Sequence, residues 1–186
     1  MLSAALALTG CGGDDAPTAP SDSRTSASAS PSAEPTTANP TVAPPTLPAE
    51  AQTPDAAGAE AFIRYYFQAL DYAYRTGDLA TVLPLRDEAC VACKSSEETV
   101  AQGFENGGHI EGGDITVSDV TVTPGDSADG LEARVVLQQS AGTLLTETGS
   151  EADTITPSQD LLVGMILHYQ AGVWSIEAWG KPDAPH

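Results

Sequence analysis

The chain has 186 residues, with 26 acidic against 7 basic side chains and a formal charge of −19. That balance excludes a nucleic acid as partner, because binding a polyanion requires a basic footprint that releases counterions. The acid excess runs on past Gly58 and serves solubility and mutual repulsion between exported molecules. The acids are scattered, with no Asp-x-Asp-x-Asp-Gly loop, so neither a metal site nor a cofactor is expected.

The first element is an address. Leu8-Thr9-Gly10-Cys11 closes a short apolar run and opens onto Gly, Asp, Ser, Thr and Pro. Small residues at Thr9 and Gly10 suit a narrow peptidase groove, and Cys11 supplies the thiol that carries a lipid, so residues 1–11 read as a lipoprotein signal peptide and lipobox. Only ten residues precede that cysteine and none is Lys or Arg, which predicts a start upstream with a basic region. No later stretch reaches the roughly 18 uncharged apolar residues that a membrane span requires. The expected location is the extracytoplasmic face of the cell membrane, held by lipid.

Residues 12–53 are almost wholly Ser, Thr, Ala and Pro with a few acids. Such a segment cannot bury enough surface to offset the cost of ordering it, and it reads as a disordered stalk of roughly 35–40 Å mean span. Its Pro-x-x-Pro spacings, from Pro17 and from Pro45, lack a flanking arginine, which argues against a ligand for another domain.

Folding signals begin at Thr53-Pro54-Asp55, an N-cap followed by proline at the first helical position. Over residues 59–76 the apolar side chains Phe62, Tyr66, Ala69, Leu70 and Ala73 share one helical face, with Tyr65 and Tyr72 on its edge. Gly77 supplies a left-handed stop and Asp78 caps the next turn. A short second helix is predicted over residues 79–83, ahead of Pro84. A third is predicted from Ser95 or Ser96, where Ser95 and Glu98 have capping-box spacing, to Gly107-Gly108.

After Gly113 the period changes to two. Ile115 and Val117, then Val120 and Val122, alternate in phases that differ by one residue, so a bulge is expected at Ser118-Asp119. Leu131, Ala133, Val135 and Leu137 form a half-buried strand. Residues 144–155 read as one polar edge strand broken by Gly149. Residues 161–169 are apolar in both phases and are expected centrally, covered on both faces. Gln170-Ala171-Gly172 turns the chain into a last strand on which Trp174, Ile176 and Ala178 share a face. The expected fold class is α+β: three N-terminal helices packed on a curved antiparallel sheet over residues 54–181, with 182–186 as a tail. About 130 residues suffice for one core.

The opening Ala59-x-Ala61-Phe62-x-x-Tyr65-Tyr66, the Tyr72-Ala-Tyr-Arg-Thr-Gly77-Asp78 run, Cys90-x-x-Cys93, the twin Gly107-Gly108 and Gly112-Gly113, and the closing Gly-Val-Trp174-Ser-Ile176 carry a resemblance. Together with the lipobox and the helices-then-meander order, they resemble an actinobacterial lipoprotein family of unknown function. Its domain is similar to the nuclear-transport-factor-2-like, or polyketide-cyclase-like, cone. The resemblance implies a fold and a location. It implies no activity, since cone domains include enzymes and non-enzymes.

With Cys11 lipidated, Cys90 and Cys93 remain as a pair, and in an oxidising compartment a structural disulfide is the default. A redox pair and half of a zinc shell are the alternatives. His168, in phase with Ile166 and Gly164, and Asp71, beside Tyr72, are the candidates for a pocket general base. Tyr65, Tyr66, Tyr72, Trp174 and Trp179 are the candidates for an aromatic ligand wall. His109 and His186 lie in a Gly-rich loop and at the terminus. No Ser-His-Asp or Cys-His arrangement, phosphate loop or HExxH run occurs. The leading expectation is therefore a lipid-anchored module that binds an envelope protein or a small apolar ligand without catalysis. The alternative is a polyketide-cyclase-like enzyme using His168 or Asp71.

Overall fold

The computed structural model describes residues 42–125 and 130–182. Cys11 with its lipobox, the stalk up to residue 41 and His186 lie outside the described residues. Residues 42–53, assigned from sequence to the stalk, are packed on the folded unit. They contain a 3-10 turn at Ala49–Gln52, with Ala51 buried and Leu47 against the core. Two aromatic side chains hold this strap: Tyr169 Oη donates to Gln52 O at 2.7 Å, and Trp174 Nε1 donates to Thr53 O at 3.0 Å. Both partners lie more than 100 residues further along the chain, so the composition of the strap alone does not mark it as folded.

Helix α1 spans Ala56–Thr76. It is capped by Asp55 rather than Thr53: Asp55 Oδ1 accepts from Gly58 N–H at 2.8 Å and from the Thr53 hydroxyl at 3.0 Å. Those two donors hold the Asp55 carboxyl below its ordinary pKa. Its buried face is broader than the expected stripe, since Ile63, Phe67 and Tyr74 join Phe62, Tyr66, Ala69, Leu70 and Ala73. Gly77 closes it at φ +75°, donating to Ala73 O. The Phe104 ring lies 2.7 Å from where a Cβ on Gly77 would stand, so backbone angle and packing both demand glycine there.

The described residues contain two α-helices where three were expected. In place of the helix expected over residues 79–83, residues 80–82 form a turn that runs into a 3-10 turn at Leu83–Leu85, because Pro84 offers no N–H with which to propagate a helix. Helix α2 spans Val91–Gly103 and starts ahead of Ser95: Cys90 is its N-cap, with the sulfur facing Cys93 N–H at 3.3 Å.

Seven strands follow, β1 His109–Gly112, β2 Ile115–Pro124, β3 Gly130–Gln139, β4 Gly142–Leu145, β5 Glu151–Ile155, β6 Ser158–Gln170 and β7 Val173–Gly180. They form a four-stranded antiparallel sheet in the order β2-β3-β6-β7 and a smaller one in the order β1-β4-β5. The bulge expected in β2 is present between Val117 and Asp119. The single edge strand expected over 144–155 is instead the β4-β5 pair. Gly149, at φ +77°, lets the chain reverse between them, and the hairpin leaves the main sheet to join β1.

Strand β6 is internal by pairing, yet only one face is fully covered. Val163, Met165 and Leu167 are buried in the core, while Leu162, on the opposite face, is 40% exposed. Another register break lies between β6 and β7. Ala178 stands opposite Ile166 and Ile176 opposite Leu167, which leaves Glu177 as the extra residue. Past it the phase inverts, so Trp179, opposite the inward Met165, takes the inner place expected for Ala178. The outer edge of β7 is covered by the segment after the 3-10 turn: Arg86 bridges to Ile176, and Asp87 N–H donates to Ile176 O at 2.7 Å.

Candidate functional site

Between α1 and the inner face of the main sheet lies a small cavity of about 60 Å3. Phe67, Leu70 and Tyr74 on α1 form one wall and Ile115, Leu137 and Leu161 on the strands form the other, with Ser96, Gln139, Ser158 and Trp179 supplying polar atoms. None of these residues carries a charge at neutral pH. Ser96 Oγ is engaged by Ala92 O at 3.1 Å and Gln139 Nε2 by Gly113 O at 3.4 Å. Ser158 Oγ is buried and has no hydrogen-bond partner among the described residues. Trp179 Nε1 and Tyr66 Oη are also buried and are each other's polar neighbours, short of ideal hydrogen-bond geometry. Burial pushes the Tyr66 and Tyr74 phenols up, away from neutrality, the Trp179 side chain opposing the shift at Tyr66.

The two candidate bases do not meet. Asp71 is a fastener: its Oδ1 accepts from Ile115 N–H at 2.9 Å, tying α1 to the start of β2, and its Oδ2 pairs with Arg75 at 2.8 Å. Arg75 extends the chain of charge to Asp114 at 2.9 Å. His168 lies on the other face of the sheet, out of phase with Val163, Met165 and Leu167, and its Nε2 contacts Glu177 Oε2. It lines a shallow depression of about 300 Å3 with Glu132, Glu177 and Ile166. The bulge at Glu177 is what swings that carboxylate to the His168 side.

Of the five aromatic candidates, Trp179 lines the cavity. Tyr65, Tyr66 and Trp174 are buried in the core, and Tyr72 is half-buried with its hydroxyl 3.5 Å from Asp78. Tyr66, Phe67 and Trp179 form an edge-to-face series with centroid spacings of 5.2 and 5.9 Å. His109 is half-exposed beside Glu111. Among the described residues no cluster of three His, Cys, Asp or Glu side chains is placed to hold a metal ion.

Cys90 and Cys93 are at disulfide distance with Cα atoms 5.3 Å apart, and both are fully buried. A buried pair at the base of α2 is a packing element, since reactive cysteines are partly exposed. Closing so short a loop contributes about 2 kcal/mol at most. The double substitution Cys90→Ser, Cys93→Ser is expected to lower unfolding free energy by no more than about that amount in urea titrations. Alkylation of either thiol in folded, unreduced protein would contradict the bond.

Sequence reasoning missed Ser158 and an internal ion pair. Arg86 Nε and Nη2 donate to the two oxygens of Glu97, each at 2.9 Å, with both side chains 9% exposed. A signal existed: Cys93, Glu97 and Val100 share helical spacing, so an acid sits in the buried stripe of α2.

No curated protein matches the chain. Among solved structures, it is similar to the intermembrane-space region of the chloroplast protein ARC6, at 16% identity over 68% of this chain and 95% of that one, TM-score 0.47. Aln2 from a Streptomyces species is 10% identical over 67% and 90%, TM-score 0.43. A putative dehydratase of the NTF2-like family from Streptomyces avermitilis is 15% identical over 68% and 95%, TM-score 0.41. Likenesses this distant carry no argument about activity. A family model does match, over residues 31–179, and the chain belongs to that family of unknown function, DUF6318.

Proposed function

We propose that this protein is a lipid-anchored, extracytoplasmic binding module without catalysis. One observation supports the binding reading: the interior cavity is lined by apolar and uncharged polar side chains, with no group poised to move a proton at neutral pH. Tyr74 is the titratable side chain on its wall, and burial drives its phenol further from neutrality. Asp71 is consumed in joining α1 to β2, and His168 faces away from the cavity, so the two side chains that could serve a cyclase-like reaction share no space.

The location rests on the Leu8-Thr9-Gly10-Cys11 run, with the paired state of Cys90 and Cys93 as support, since such bonds persist outside the reducing cytosol. No helix among the described residues is long and apolar enough to cross a membrane. The partner sought is an envelope protein or a small apolar ligand.

Fractionation tests the anchor: Cys11→Ser should move the protein from the membrane pellet to the soluble extracytoplasmic fraction. Retention of the variant in the pellet would refute it. For the binding role, the purified chain should retain a specific component from intact envelopes, and steady turnover of a small-molecule substrate would refute the non-catalytic reading.

A further inference from the structure

The sheet edges of this protein are not treated alike. The outer edge of β7 is covered by Arg86 and Asp87, and the edges of the smaller sheet are strands of four and five residues. Strand β2 is the other edge of the main sheet, is ten residues long, and carries one charged side chain, Asp119. Seven of its ten residues are β-branched, a composition that pairs readily with a further strand.

Backbone geometry determines which groups that edge offers. At the end of the β2-β3 hairpin, Gly125 N–H donates to Gly130 O at 3.0 Å. Antiparallel partners exchange their bonds at alternate residues, so Thr123 and Thr121 face β3, whereas Val122 and Val120 turn N–H and C=O to the free side. On the far side of the bulge Ile115 N–H points the same way, and Asp71 receives it at 2.9 Å. Among the described residues nothing receives Val120 or Val122 there. Two donors and two acceptors in a row, at the spacing of an extended backbone, fit another strand and no compact ligand. Val120 and Val122 pack against the core yet stay half-buried, so small apolar side chains on an added strand would complete their cover.

We propose that the β2 edge at Val120 and Val122 receives an extended, lysine-bearing segment of a partner protein as an added antiparallel strand. The basic character follows from charge complementarity: the acid excess of the chain repels a second copy and attracts a cationic segment, and Asp119 stands beside the open ladder. The proposal rests on the binding-module reading and adds the surface and the chemistry of the partner.

Amide exchange and peptide binding test it on the full chain. In the free protein the Val120 and Val122 amides should exchange with deuterated water at least about tenfold faster than that of Thr121, which bonds to β3. An acetylated, amidated heptapeptide alternating lysine and valine should bind saturably, slow that exchange and shift the nitrogen-15 signals of Val120 and Val122. N-methylation of its valines, which stand opposite Val120 and Val122, should weaken binding at least about tenfold. N-methylation of its lysines should change binding less than about threefold, because their N–H groups face away. Glutamate in place of lysine should weaken it at least about tenfold. Val122→Pro removes one outward N–H and spares β3, and should weaken binding about tenfold. The methylated peptides need no variant, so the test holds even where Val122→Pro fails to fold.

Slow exchange of Val120 and Val122 in the free chain, or equal binding of the valine-methylated or the glutamate peptide, would overturn the proposal. So would dimerisation of the chain through β2, since a second copy would then be the occupant. Failure of the lysine peptide to bind a chain that still retains an envelope component would remove the edge and leave the binding-module reading standing. Turnover of a small molecule by a chain that binds the peptide would uphold the edge and refute the non-catalytic reading.

Discussion

Glu97→Ala is expected to destabilise the fold by about 3 kcal/mol, read as a lower urea midpoint at unchanged slope. Removal of the carboxylate leaves the Arg86 guanidinium inside the protein with both of its close acceptors gone, and an uncompensated interior charge costs more than the pair was worth. The figure is at the low end for such pairs because Arg86 Nη1 also reaches the exposed Glu88, at 3.4 Å. Hydrogen bonding to Glu97 keeps the guanidinium pKa above its ordinary value. A base favoured in its charged form stabilises the fold below its unfolded pKa and loses that contribution only as pH climbs through the folded one. The arginine side of the pair is therefore constant through neutral pH. Replacing both partners together, Arg86→Met with Glu97→Leu, should recover most of the loss, since an apolar pair carries no desolvation cost. If each single variant lowers the unfolding free energy by less than about 0.5 kcal/mol, the pair behaves as a surface contact.

Trp174→Ala should cost about 3–5 kcal/mol, the range for emptying an aromatic core site. The side chain is 4% exposed, lies edge-to-face with Tyr169 at 5.0 Å, and holds the strap through Thr53 O. Two effects are thus combined, and Trp174→Phe separates them. Phenylalanine keeps the buried ring and drops the N–H, so it should cost about 1 kcal/mol while still loosening residues 42–53. Thermolysin, which cuts beside apolar residues such as Leu47, should cleave the strap faster in both variants. Unchanged cleavage in either one would mean that the strap is held by its own packing and not by Trp174.

How much of this was legible in advance depends on what kind of signal each feature leaves. Helix α1 announces itself because its apolar side chains recur at helical spacing over many turns and Gly77 marks the stop. The β2 bulge announces itself because apolar residues stand on both sides of the slip, in opposite phases. The β7 bulge leaves no such mark: Ala178 and Trp179 are both apolar, so either could be the inward residue. The predicted helix over 79–83 had a proper cap in Asp78, which does receive Ala80 N–H at 2.9 Å, but one capped turn ahead of a proline is too short to propagate. The α2 start was misplaced because a sulfur atom does the work usually read from Ser or Thr.

Local periodicity, then, determined which residues turn inward along α1, β2 and β3, and the Cys11 motif with the Cys90/Cys93 spacing set the expectations for compartment and cross-link. The tertiary structure decided which of those residues meet. Pairing register places Glu177 as the odd residue in β7, and that single choice sends Trp179 into the cavity beside Ser158 and the Glu177 carboxylate out to His168. Tertiary packing elsewhere spends Asp71 on the β2 backbone and buries Glu97 against Arg86. The physical reason is one of range: side-chain period is a property of a single segment, whereas register and the fate of a polar group depend on a partner strand or helix distant along the chain.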